Sequence, residues 1–244
     1  VKKNLATLES FGIVIVPPKM EEERAKIAEI ETICLYAERA LAPQSLSRKR
    51  VLISSGACRE KVDSVRVLTT RSSGVMGREL ALEAFRRGAE VTVVSNTSLY
   101  GNVPCVKNIP VVSAADMAEA VLALADSTDI YVSAAAISDF VPEAADEKIP
   151  SGKPVTLTLS PAPKLINRLL GRGISVIGFK IGEDADSAAQ KLLQETDIAA
   201  VAANRPETMG SSAGAYRIYT RDGRVTEASG DKKEIAGKLW DAVL

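Results

Sequence analysis

Residues 51–77 read VLISSGACREKVDSVRVLTTRSSGVMG. Val51 to Ser55 is a short apolar run of the kind that forms a buried strand. Gly56 follows where a turn is expected. At the far end, Ser72-Ser73-Gly74-Val75-Met76-Gly77 has the composition of a helix start. Between them lies a long, mostly polar loop carrying Arg59, Glu60, Asp63, Arg66 and Arg71. A strand, a loop and a helix N-terminus make a natural anion site, because the helix's free N–H groups and its dipole favour negative charge. Guanidinium forks match phosphate or carboxylate oxygens and strengthen that preference. The segment is therefore expected to hold a phosphorylated ligand. The plainer reading is that the serines only cap a helix and the arginines are solvated.

Downstream the pattern is regular. Met76 to Arg87 reads as a helix with Leu80, Ala81, Ala84 and Phe85 on one face, ended by Gly88. Strands are expected at 91–94, 110–112, 130–134, 155–159, 174–179 and 198–202, with a loop over 95–108. Helices are expected at 113–125, 161–170, 185–195 and 231–243, the first with Ser113 as N-cap and Asp116 completing a capping-box variant. Two strands, 215–220 and 225–228, flank Asp222-Gly223, a hairpin signal. Short apolar strands alternating with amphipathic helices predict an α/β fold: a Rossmann-like, doubly wound, mostly parallel sheet with a C-terminal antiparallel hairpin.

Residues 1–48 differ. Asn4 to Ser10 reads as a short helix, and Gly12 to Pro18 as a strand stopped by prolines. Met20 to Leu41 reads as one charged helix, docked through a stripe that includes Ile27, Ile30, Cys34 and Leu41, with Ile33 beside them. Pro43 to Arg50 reads as an exposed linker.

Composition removes several function classes. Lys+Arg and Asp+Glu both number 31, so no global field calls for nucleic acid or a membrane surface. No apolar run reaches the ~20 residues a spanning helix needs. Three cysteines, Cys34, Cys58 and Cys105, lie far apart and read as free thiols in a cytoplasmic protein. There is no histidine, so Ser-His, Cys-His and His-metal mechanisms are excluded. No protein-held metal is expected.

Ligands of a doubly wound sheet bind beyond the carboxyl ends of its strands. Four ends are informative: Gly56–Gly77; Ser133-Ala134-Ala135 through Asp139; Gly178-Phe179-Lys180; and Asn204-Arg205. Small residues let a ligand approach the backbone, and Phe179 could cover a planar base. Each also has a bland reading, Asp139 as a turn residue and Phe179 as core. A dinucleotide-dependent oxidoreductase is disfavoured: there is no compact G-x-G-x-x-G after the first strand, and the second ends Ser95-Asn96 without an acidic residue. A Walker A loop is absent too.

The ordered motifs SSGACREKVDSVRVLTTRSSGVMG, RRGAEVTVVS, SAAAISDF, DEKI, SPAPKLI, VIGF and AAN resemble the phosphopantothenoylcysteine synthetase family of coenzyme A biosynthesis, over roughly residues 51–244. NLATLESFGIVIVPP is similar to the tail of the flavin-dependent decarboxylase domain often fused ahead of it. The resemblance implies a 1–48 remnant plus linker and a 49–244 synthetase domain, a truncated bifunctional protein or one read from an internal start, with no flavin and no decarboxylase activity. It implies a ligase joining 4′-phosphopantothenate to cysteine through an acyl-nucleotide, with CTP, or ATP, carried with Mg²⁺. By motif, Ser72, Ser73, Gly74, Ser133, Ala134, Ala135, Asp139, Pro163, Lys164, Leu165, Ile166, Phe179 and Lys191 would contact the nucleotide. Arg66, Arg71 and Asn204 would face the substrate. Lys148 would reach the phosphates from a mobile flap within 142–153, and Thr70 would handle the intermediate. Three positions depart from the family pattern: Thr70 stands for the usual Asn, Val75 for a frequent Lys, and Glu195 for a second lysine after Lys191. The resemblance further implies a homodimer. The alternative is a nucleotide-binding module without ligase activity.

Overall fold

The computed structural model describes residues 1–100, 103 and 105–244. Gly101, Asn102 and Pro104, in the expected 95–108 loop, lie outside the described residues. The elements in chain order are α1 (Lys2–Ser10), β1 (Lys19–Glu21), β2 (Arg24–Lys26), α2 (Ile30–Leu41), β3 (Arg50–Ser55), β4 (Arg59–Lys61), β5 (Val67–Thr69), α3 (Val75–Arg86), β6 (Glu90–Ser95), β7 (Lys107–Pro110), α4 (Ala114–Leu124), β8 (Ile130–Ser133), β9 (Phe140–Pro142), β10 (Leu159–Pro161), β11 (Ser175–Ile181), α5 (Ala185–Glu195), β12 (Ala200–Asn204), β13 (Ala213–Thr220), β14 (Val225–Asp231) and α6 (Lys232–Val243).

The main sheet runs β7-β6-β3-β8-β11-β12-β13-β14. The first six strands are mutually parallel and the last two antiparallel. The predicted Rossmann-like sheet and its terminal hairpin are therefore present. Counted along the chain, the parallel strands take the order 3-2-1-4-5-6, and the order reverses between β3 and β8. Both faces are covered. On one, α3 and α6 pack with Val51, Ile53, Val132, Ile218, Leu80 and Trp240. On the other, α4 and α5 pack with Leu52, Tyr131, Met117, Val176 and Ile198. Alternate residues of each strand thus serve opposite cores, as a central strand's period of two requires. Buried Trp240 donates its indole N–H to the Leu80 carbonyl at 3.1 Å, fastening α6 to α3.

Helix starts follow local chemistry. Ser113 Oγ accepts from the Asp116 N–H and the Asp116 carboxylate accepts from the Ser113 N–H, so the expected capping box is complete. Asp231 caps α6 by accepting from the Glu234 N–H at 2.8 Å.

Several expectations are corrected. Residues 12–18 form no strand; a hairpin, β1–β2, occupies 19–26, where a helix was expected. The docked helix begins only at Ile30, and the predicted stripe faces outward: Ile27, Ile30 and Leu41 are 84%, 79% and 88% exposed. Its buried positions are Thr32 and Leu35. Tyr36 meets Phe85 edge-on, and the Arg39 guanidinium lies over the Phe85 ring while donating to the Phe85, Gly88 and Ala89 carbonyls. Arg39 thereby satisfies the free carbonyls at the end of α3 and beyond, a docking that polar chemistry provides. The 43–50 linker is not wholly exposed, since Leu46 is fully buried and its N–H bonds the Arg87 carbonyl. Strand β7 begins three residues earlier than expected. The strand expected over 155–159 forms at Leu159–Pro161 instead, pairing with β9. Residues 165–168 make a 3-10 turn rather than a full helix.

Candidate functional site

The order reversal places a cleft beyond the carboxyl ends of β3 and β8. Three glycines close the turn beside it, of which Gly74 lines the cleft. Gly56 has φ +88°, and a Cβ there would sit 2.4 Å from Asn96 Oδ1. Gly74, the N-cap of α3, has φ +78°, and its Cβ would lie 3.3 Å from Gly56 Cα. A Cβ on Gly77 would lie 2.3 Å from Ser55 Oγ. These are the three tasks of a dinucleotide-type glycine turn: the tight bend, the ligand approach and the helix–strand contact. Here the first glycine is separated from the other two in sequence by the β4–β5 hairpin, so no compact motif is legible. Ser55 Oγ donates to the Gly74 carbonyl at 3.1 Å and holds the helix start against the strand.

The β8 side is knitted to the same turn. The Ala134 N–H bonds the Ser54 carbonyl at 3.1 Å, and the Ala136 N–H bonds the Gly56 carbonyl at 2.8 Å. An isolated parallel bridge joins Ala57 and Ala136. Tyr131, fully buried, donates to Ser54 Oγ at 2.9 Å beneath them, and burial pushes its phenol upward in pKa.

The cleft encloses about 460 Å³, within the range of small-molecule sites. Of the residues singled out from sequence, Thr70, Ser72, Ser73, Gly74, Ser133, Ala134, Ala135, Asp139, Pro163, Lys164, Leu165, Ile166, Phe179 and Asn204 line it. Segments as far apart as 70 and 204 are thus brought to one wall-and-floor arrangement. Among the described residues, Thr70 Oγ1 is buried there without a hydrogen-bond partner. Asp139 and Lys164 approach to 4.0 Å with both side chains largely exposed. Phe179 packs edge-on against Tyr216, centroids 6.4 Å apart, which fixes its ring. The Asn204 amide donates to Thr208 Oγ1 and, at 3.4 Å, to the Arg205 carbonyl.

Four of the residues are not among those lining the cleft. Arg71 is exposed, with its carbonyl against Gly210. Lys191 is solvated on α5 and pairs with Glu195 at 3.7 Å; its neighbour Leu192 faces the cleft instead. Arg66 is engaged at the end of the β4–β5 hairpin, donating to the Asp63 carboxylate and, at 3.2 Å, to the Ile149 carbonyl. Lys148 is exposed beside that contact.

Asp63 joins these parts. Its side chain is buried, which opposes ionisation, yet it accepts from the Val65, Arg66 and Ile149 N–H groups and from the Arg66 guanidinium. Those donors hold its carboxyl well below the usual range. The Ala145 N–H also bonds the Val62 carbonyl, so the segment carrying Lys148 is tied at two points to the hairpin.

The sequence reading missed Thr208, Met209, Gly210, Tyr216 and Lys232, which complete the far wall. Thr208, Met209 and Gly210 lie in the turn just beyond the carboxyl end of β12, four or more residues past Asn204, whereas Tyr216 sits in antiparallel β13 and Lys232 at a helix start, where the strand-end rule gives no guidance. A signal did exist for Lys232: a lysine in the first turn of a helix opposes the dipole. Among the described residues, no group of three His, Cys, Asp or Glu side chains is placed to hold a metal ion, and no helix is long and apolar enough to cross a membrane.

Comparison with known proteins follows this geometry. Residues 46–244 match the family model described as "DNA/pantothenate metabolism flavoprotein C-terminal domain". The coenzyme A biosynthesis bifunctional protein CoaBC of Thermococcus kodakarensis is 39% identical, aligned over all of this chain and 62% of its own length. The chain therefore spans about three fifths of that relative. A crystal structure of the C-terminal domain of a CoaBC protein superposes with a TM-score of 0.70 at 31% identity, covering 82% of this chain and 96% of that one. A Cab2 variant in complex with phosphopantothenate-cysteine shares the fold, with a TM-score of 0.65 at 17% identity over 85% of this chain and 89% of its own. From Leu46 to Leu244, the chain belongs to the DNA/pantothenate metabolism flavoprotein C-terminal domain family.

Proposed function

We propose that this chain is a phosphopantothenate–cysteine ligase of coenzyme A biosynthesis that uses CTP, with ATP as the alternative nucleotide. One observation carries the reading. Short segments spread from residue 70 to 204 converge on a single cleft at the point where the strand order reverses. The family membership and the relatives' names support the same pathway.

In this reading the phosphopantothenate carboxylate attacks the nucleotide α-phosphorus, the Pα–O bond to the β-phosphate breaks, and pyrophosphate leaves. The cysteine amine then attacks the acyl carbon, the acyl C–O bond breaks, and the nucleoside monophosphate departs as the amine loses a proton. Both nucleophiles belong to the substrates, so the protein's task is positioning and charge stabilisation. That suits a chain without histidine. The α3 N-terminus, with Ser72, Ser73 and Gly74, would receive phosphate. Ser133 to Ala135 and Asp139, with Pro163 to Ile166, would border the nucleotide, and Phe179 would cover its base. Lys191 would reach it from the rim. Arg66, Arg71 and Asn204 would face phosphopantothenate. The unpartnered Thr70 hydroxyl would bond the acyl-nucleotide, and Lys148 would reach the phosphates from the flap of a homodimer. Mg²⁺ would arrive on the triphosphate.

Pyrophosphate release measured with 4′-phosphopantothenate, cysteine and either CTP or ATP tests the proposal. Release that requires both organic substrates and one nucleotide is the expected result. Tight nucleotide binding without turnover would instead support a nucleotide-binding module, a reading favoured by Lys148 lying outside the cleft of its own chain. Binding of NADH but of neither CTP nor ATP would overturn the family-based reading.

A further inference from the structure

Lys232 opens α6 and is only 5% exposed, yet it lines the cleft. Among the described residues its ammonium meets one partner, the Thr208 carbonyl oxygen at 3.2 Å, and no carboxylate. An ammonium carries three donors, so two are unused. The position compounds the cost. A lysine is almost never fully buried unless paired, and the N-terminus of a helix repels a cation. Burial accordingly pulls its pKa down. The other two cleft lysines do not share this condition: Lys164 faces Asp139 in solvent and Lys180 is only half-buried.

The surroundings are arranged around this group. Thr208 receives the Asn204 amide and donates to the Arg205 carbonyl at 2.8 Å, so its own carbonyl is held toward Lys232. Gly210, at φ +79°, carries the chain to within reach of the Arg71 carbonyl, which joins the Lys232 corner to the Thr70–Gly74 turn. A costly, unpaired, buried cation facing a cleft is explained if an anion arrives there.

We infer that Lys232 is a ligand-binding residue, its ammonium receiving an anionic oxygen, phosphoryl or carboxylate, of the substrate held at the Asn204–Thr208 end of the cleft. The inference rests on the proposed ligase reading for the identity of that substrate.

The test uses Lys232→Met, which keeps the stem but removes charge and donors, and Lys232→Gln, which keeps a donor for Thr208. Thermal midpoints are compared with calorimetric affinities for CTP, ATP, 4′-phosphopantothenate, pantothenate and inorganic pyrophosphate. Relief of a buried unpaired charge predicts a midpoint for Lys232→Met no lower than wild type. Both variants are expected to lose roughly 10- to 100-fold in affinity for the ligand whose oxygen Lys232 receives, the effect of one charge-assisted hydrogen bond. A loss for phosphopantothenate and pantothenate alike identifies the carboxylate. A loss for phosphopantothenate alone identifies its phosphate, and a loss for the nucleotides and pyrophosphate identifies theirs. If Lys232→Met is destabilised while Lys232→Gln binds every ligand within twofold of wild type, Lys232 is structural and the inference is overturned. If the wild type binds neither nucleotide nor phosphopantothenate but binds pyrophosphate through Lys232, the ligase reading fails and this one stands. Should the wild type bind none of these anions, both fall.

Discussion

Replacing Gly77 by Ala sets two effects of opposite sign against each other. Gly77 lies in the first turn of α3, where Ala is the better helix former by up to about 1 kcal/mol. The new methyl, however, would lie 2.3 Å from Ser55 Oγ and 2.6 Å from Ser55 Cβ, both in the buried seam between α3 and β3. Relief to an ordinary contact moves the helix start by roughly 1 Å, and such overpacking costs about 1–3 kcal/mol. The Ser55–Gly74 hydrogen bond, worth about 1 kcal/mol, is lost as the turn opens. The net expectation is destabilisation by about 1–3 kcal/mol, with weakened nucleotide binding because Gly74 moves with the helix. Urea unfolding gives the first quantity and calorimetry the second. Ser55→Ala leaves the Cβ collision and should rescue little. Ser55→Gly removes both colliding atoms, leaving only Cα at 3.4 Å, and should couple favourably with Gly77→Ala by more than 1 kcal/mol. A Gly77→Ala protein as stable as wild type, with no coupling to position 55, would refute the close-packing argument.

Arg39→Ala removes the donors to three carbonyls and the stacking on Phe85, and is expected to cost about 2–4 kcal/mol; limited proteolysis should then cut within residues 42–50 faster than in wild type. Asp63 has a depressed folded-state pKa, so its stabilisation is complete above the unfolded value of about 4 and is lost as pH falls toward the folded one. The urea midpoint of wild type should fall between pH 5 and pH 2 more steeply than that of Asp63→Asn; parallel curves would count against the assigned role. Lys148→Ala should bind CTP normally and turn over roughly 100-fold more slowly, within the usual range for a lost charge-stabilising donor; near-normal pyrophosphate release would remove Lys148 from the phosphates.

The sheet was legible because its strands are short apolar runs broken by glycines and polar turns. Val51–Ser55 is buried throughout, Val91, Val93 and Val94 and the central Val176–Gly178 are buried, and α3 to α6 each show a helical apolar stripe or a clear cap. The N-terminal region was not legible for a chemical reason. Helix α2 docks through Arg39 on backbone carbonyls, and an apolar stripe cannot report such a contact. Residues 155–159 alternate as a strand should, but Val155, Leu157 and Leu159 are all exposed, so no buried face sets a register. In the cleft, residues at the ends of parallel strands were found because strand ends converge by topology. Lys232 and Tyr216 escaped because a helix start and an antiparallel return bring them there from the other direction, and Thr208 because a 3-10 turn past the end of β12 carries it back to the cleft.

The separation of Gly56 from Gly74 has a further consequence. Since the two glycines lie in contact, the turn is closed at its base, and the β4–β5 hairpin rises from that base as an insert with anchors of its own at Val112, Ala114, Ala145 and Ile149. Closing a longer loop costs only about 0.6 kcal/mol per doubling. Length can therefore change at the hairpin's tip at little entropic cost, while Glu60 ties its stem to the start of α4. The glycine clasp closes the turn, and the hairpin's side-chain anchors set where the loop above it lies.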